Sequence, residues 1–83
     1  MVYRFQVNKE KFKQKVKEHY ATYIIDGDIT LMRCYEMLMV ELNIKSLKTL
    51  YNFQNNKYSI QLLMKIIEVL EIKDIEEIFK EIE

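Results

Sequence analysis

This 83-residue chain has one glycine, Gly27, and no proline. A sheet of many short strands needs a turn every few residues, and turns draw on Gly and Pro for the backbone angles other residues resist. Such scarce punctuation leaves long uninterrupted segments rich in Ile, Leu, Lys, Glu and Met, and predicts an all-α fold. The length supports one hydrophobic core, so residues 1–83 are read as a single domain.

Five helices follow from apolar spacing and capping residues. Asn8 caps a first helix reaching about Tyr23, with Phe12, Val16, Tyr20 and Tyr23 on one stripe and Lys9, Lys13 and Lys17 on another face. Asp26-Gly27-Asp28 is a turn, after which Asp28 or Thr30 caps a second helix ending at Leu42. Its inward stripe is Leu31, Tyr35, Leu38, Met39 and Leu42, and Asn43 follows where a left-handed residue is needed. Ser46 caps a short third helix facing inward through Leu47, Leu50 and Phe53, with Gln54 to Lys57 as a turn. Ser59 caps a fourth, read as the central core helix through Ile60, Leu63, Ile66, Ile67 and Leu70. Asp74 and Glu77 have capping-box spacing and open an acidic fifth helix over 74–83 that buries Ile75, Ile78, Phe79 and Ile82. Residues 1–7 read as a short strand or an extended arm, with Tyr3, Phe5 and Val7 on one side. A lone strand has no partner in an all-α chain, so any pairing is expected with a second copy.

Catalytic chemistry finds little support. The lone Cys34 cannot form an intrachain disulfide and suits a reducing compartment. His19 has no second His or Cys at ligand spacing, and one glycine cannot build a phosphate loop. The carboxylates over 68–83 are spaced like a solvated helical face. No enzyme activity, metal, cofactor or small-molecule substrate is expected. No apolar run nears the ~20 residues of a membrane span, and the opening MVYRFQVNKEKF lacks the apolar core of a signal peptide. A cytoplasmic location is expected.

The net charge of zero conceals an uneven distribution. Residues 1–57 carry ten Lys/Arg against six Asp/Glu, and residues 58–83 carry three against seven. A basic front and an acidic tail suit contact with a polyanion, and equally an ordinary charged surface. The segment EMLMVELNIKSLKTLYNF (36–53) reads as helix, tight turn, helix. With Leu47, Leu50 and Phe53 inward, Lys48, Thr49 and Asn52 point outward and Tyr51 lies at the border. Asn can bond adenine in pairs, Lys can reach guanine, and a Thr methyl can meet that of thymine.

EMLMVELNI (36–44), SLKTLYNFQNNKYSI (46–60) and LLMKIIEVLEI (62–72) together resemble the phage-repressor-like (Cro/C1-type, XRE) helix-turn-helix family, the motif itself covering about 34–54. The chain departs from the family pattern at Met39, where the family has Ala, at Asn43 for the turn glycine, and at Gln54 and Asn56 for the Glu and Gly of the next turn. The resemblance implies a five-helix lambda-repressor-like domain that binds double-stranded DNA as a small transcriptional regulator, a repressor of phage or mobile-element type. It implies base contacts from Ser46, Lys48, Thr49 and Asn52, and phosphate contacts from Arg33, Lys45, Asn55 and Lys57. It also implies a homodimer, joined by the arm at Tyr3 and Phe5 or by Ile78, Phe79 and Ile82. The competing expectation keeps the fold but turns its surface to a protein partner, as an anti-repressor, an antitoxin-like module or an inhibitor. Overall neutrality, the acidic tail and the altered turn favour it.

Overall fold

The structure, a computed structural model, describes residues 4–25 and 27–82, with side chains for 5–25 and 27–80. Tyr3 of the expected arm, Asp26 of the expected turn, and the side chain of Ile82 lie outside the described residues. Strand β1 (Arg4–Val7) leads to helices α1 (Lys9–Ala21), α2 (Leu31–Leu42), α3 (Leu47–Gln54) and α4 (Ile60–Val69). A single 3-10 turn (Ile75–Glu77) and strand β2 (Phe79–Ile82) follow. The fold is mostly helical, with four α-helices and one two-stranded antiparallel sheet among the described residues.

The expected caps form. Asn8, Thr30, Ser46 and Ser59 each accept a backbone N–H of the first turn they precede, satisfying donors that a helix start leaves open. Phe12 lies at the centre of the core, its ring 5.0 Å from Phe53 and 6.1 Å from Tyr35, measured between centroids. Val16, Tyr20, Cys34, Leu38, Leu42, Leu50, Ile66 and Leu70 close around it. Tyr23 departs from the expected stripe: α1 stops at Ala21, so Tyr23 sits beyond the last turn and is exposed. Burial is also what raises the Cys34 thiol above its ordinary value, leaving it a small core residue.

Three of the helices end in the same way. At each terminus a residue with positive φ is followed by one whose N–H reaches back to the carbonyl five residues earlier. These pairs are Asn43 (φ 56) with Ile44 to Met39, Asn56 (φ 65) with Lys57 to Asn52, and Glu71 (φ 54) with Ile72 to Ile67. This is the Schellman arrangement, normally served by glycine. The chain therefore turns sharply three times without using its one glycine.

The C-terminal segment corrects the expectation of five helices. Asp74 and Glu77 do form a capping box, but it caps only the three-residue 3-10 turn. Phe79–Ile82 then runs antiparallel to Arg4–Val7, Gln6 opposite Lys80 and Val7 opposite Phe79. The strand expected to need a second copy is paired within its own chain. A ten-residue helix gains little from its own hydrogen bonds. Here the extended form matches the β1 ladder and carries Phe79 to Phe53 and Tyr58 (6.3 and 6.4 Å). Ile78 and Phe79 are buried as expected, whereas Ile75 is exposed. Without a fifth helix over it, α4 is not the central helix: of its residues, only Ile66 is fully buried.

The acidic tail folds back on the basic first helix. Lys15 Nζ donates to Glu77 Oε1 at 2.6 Å, and Lys11 Nζ donates to the Glu76 carbonyl at 3.1 Å. Glu77 Oε2 also accepts the backbone N–H groups of Lys73 (2.7 Å) and Asp74 (2.9 Å). The Lys15 hydrogen bond, then those from Asp74 and Lys73, hold the Glu77 carboxyl at about 2 against an ordinary 4.5. A depressed carboxyl pKa stabilises the fold above the unfolded value, and that contribution disappears as pH falls through the folded one. Glu77→Gln is therefore expected to flatten the loss of stability between pH 4.5 and about 2, measured by urea titration at stepped pH. An unchanged pH profile would show that the contact adds nothing.

Candidate nucleic-acid interface

Helices α2 and α3 are joined by Asn43–Ser46, a turn set by the left-handed Asn43 and by Ile44, which packs half-buried on the core. Helix α3 is held by buried Leu50 and Phe53 and by half-buried Leu47. Its last residue, Gln54, was expected in the turn but is buried, donating from Nε2 to the Tyr35 hydroxyl of α2. Burial, and secondarily Tyr51, push that hydroxyl well above the ordinary tyrosine range, so it stays neutral. This buried pair fixes the end of α3 to α2 and thereby sets which side of α3 faces outward.

At helical spacing, Thr49, Asn52, Lys48 and Asn55 form one continuous polar sector of α3, opposite Leu50. Lys48 is exposed, Thr49 and Asn52 are half-exposed, and Asn55, the C-cap, is exposed. Ser46 accepts the Lys48 N–H as the N-cap, which leaves its hydroxyl proton and one lone pair for an outside partner. Lys45 and Lys57 are exposed at the two ends of the helix. Seven of the eight expected contact residues are thus gathered on α3 and its immediate flanks.

Arg33 stands apart. It lies in the first turn of α2, and its Nη1 donates to the Asp28 carbonyl at 3.1 Å, over the loop where Gly27 takes φ 84. Its guanidinium braces the α1–α2 loop.

Two features of this surface were not foreseen. Asn56 Oδ1 accepts the Val7 N–H at 2.8 Å, which ties the α3–α4 turn to β1. Beside it lies a cleft of about 460 Å³ whose lining includes Gln6, Asn8, Lys9, Asn55 and Lys80. Its lining comes from three separate stretches of the chain, so no local pattern could announce it. The basic front is less free than its composition suggests, since Lys11 and Lys15 are engaged by the tail. No group of three or more His, Cys, Asp or Glu able to hold a metal ion occurs among the described residues. No described helix is long and apolar enough to cross a membrane. Comparisons with protein-family models, with curated proteins and with solved structures each give no match to this chain.

Proposed function

We propose that this chain is a lambda-repressor-like helix-turn-helix domain that binds double-stranded DNA, seats α3 in the major groove, and acts as a small transcriptional regulator of phage or mobile-element type. The observation that carries the reading is the outward sector of α3. Lys48, Thr49 and Asn52 stand together on a helix locked by Leu50, Phe53 and the Gln54–Tyr35 pair. Base readout needs such a rigid presentation, because paired hydrogen bonds to a base edge tolerate little rotation of the helix. Ser46 at the N-cap stands beside these base contacts, and Lys45 and Lys57 at the helix ends, with Asn55 at the C-cap, supply donors for the phosphates on either side.

Asn52→Ala tests the assignment. It is expected to weaken binding to a selected duplex by about 1–3 kcal/mol, and to relax the preference at one base position. The side chain is half-exposed, so the helical signal should be unchanged. A loss of helix in that variant would make Asn52 structural.

A second reading, a protein-interaction module of anti-repressor, antitoxin-like or inhibitor type, is favoured by one observation: the tail neutralises part of the basic α1 face within the same molecule. One stoichiometric protein partner, with no salt-dependent retention on DNA, would select it.

A further inference from the structure

Seven of the ten residues of α4, IQLLMKIIEV, are apolar. Ile66 is fully buried, Leu62, Leu63, Ile67 and Val69 are half-covered, and Ile60 and Met64 remain 68% and 64% exposed. Other exposed apolar side chains, such as Ile25 and Val40, lie outside α4, and single exposed apolar residues are ordinary on protein surfaces. Those of α4 are ordered: Ile60, Leu63, Met64 and Ile67 recur at three and four residues, the spacing of a helix–helix seam. The chain spends its C-terminal segment on β2, and Ile60 and Met64 of this seam stay exposed while Leu63 and Ile67 are half-covered.

We propose that the α4 stripe is a self-association surface, on which a second copy packs its own α4 antiparallel across a two-fold axis between Leu63 and Met64. In that arrangement Ile60 meets Ile67 of the other copy and Leu63 meets Met64, so one patch complements itself, as a two-fold contact requires. The charges select the direction. Lys57 is exposed just before α4, and Glu68 and Glu71 are exposed at its far end. None of the three forms an ion pair among the described residues. Antiparallel packing sets Lys57 of each copy beside the carboxylates of the other and opposes the helix dipoles; parallel packing would align like charges. Zero net charge leaves no overall repulsion between copies. Both surfaces expected to join copies, the arm and the C-terminal segment, are paired with each other inside one chain. The inference does not depend on what α3 contacts.

Sedimentation of the full chain without DNA decides it. The expected result is a species of twice the 10.2 kDa chain mass that dissociates on dilution. Met64→Lys and, separately, Ile60→Lys should each raise the dimer Kd roughly tenfold or more, as loss of a central apolar anchor does. Their circular dichroism should be unaltered, since both side chains lie outside the core. Glu68→Lys should weaken the dimer about three- to tenfold, and Lys57→Glu added to it should recover most of that loss. A monomer at hundreds of micromolar, or a dimer that survives both lysine variants, overturns the proposal. A charge-swapped double variant weaker than either single change overturns the antiparallel arrangement.

Discussion

Phe12→Ala is expected to cost about 3–5 kcal/mol, the range for emptying a fully buried aromatic site. Phe12 is completely covered, and its ring touches one aromatic on α2 and another on α3. Neither neighbour can close the gap, because Tyr35 is held by Gln54, and Phe53 is also packed against Tyr58 at 4.8 Å. At roughly 0.05–0.15 kcal/mol per residue, a chain of this length has a total stability of only about 4–12 kcal/mol. The variant should therefore be partly or largely unfolded at 25 °C. A urea titration followed by helical circular dichroism measures it. A cost under about 1 kcal/mol would place the centre of the core elsewhere.

Phe79→Ala is expected to cost about the same, about 3–5 kcal/mol, and its comparison with Ile75→Ala distinguishes two folds of the tail. In a helix over 74–83, Ile75 and Phe79 would share one buried face and truncating either would be costly. In the strand, Phe79 packs on Phe53 and Tyr58 while Ile75 is 43% exposed, so Ile75→Ala should cost far less. Lys80→Ala, on the opposite face of β2, should stay within about 0.5 kcal/mol. Loss of Phe79 should also release β1. The Asn8 N–H, which donates to the Ile78 carbonyl at 2.8 Å, should exchange faster in the variant. Equal costs at Ile75 and Phe79 would restore the helical reading.

Most of the helical architecture was legible because it is written locally. Asn8, Ser46 and Ser59 announce helix starts, and Asn43 announces a helix end, by chemistry that acts within a few residues. The alternative caps Asp28 and Thr30 could not be separated by type; the structure uses Thr30, whose hydroxyl accepts the Arg33 N–H. What could not be read depends on distant partners. Ile75, Ile78, Phe79 and Ile82 fit a helical stripe as well as a strand, and only β1, over seventy residues away, decides between them. The left-handed turn at Asn56 falls where the resemblance sets a turn glycine, whereas the one at Glu71 was hidden for a related reason. A glutamate adopts that conformation only when the surrounding turn imposes it.

The candidate site divides in the same way. The outward residues of α3 follow from its inward ones, so Lys48, Thr49 and Asn52 were found by subtraction. The burial of Gln54 was not, because a glutamine gives no sign of burial until Tyr35 is placed beside it. Nor could composition show that Lys11 and Lys15 are committed to the tail.

Fluorescence anisotropy of one selected duplex against its scrambled counterpart, titrated with wild type and Asn52→Ala over a series of salt concentrations, tests the central claim most directly. The predicted result is a clear preference of the wild type for the selected duplex, reduced in the variant. Affinity should fall linearly in log[salt], with a slope near −0.9 per phosphate neutralised. Equal affinity for both duplexes at moderate ionic strength, or binding insensitive to salt, would contradict the claim that α3 reads DNA.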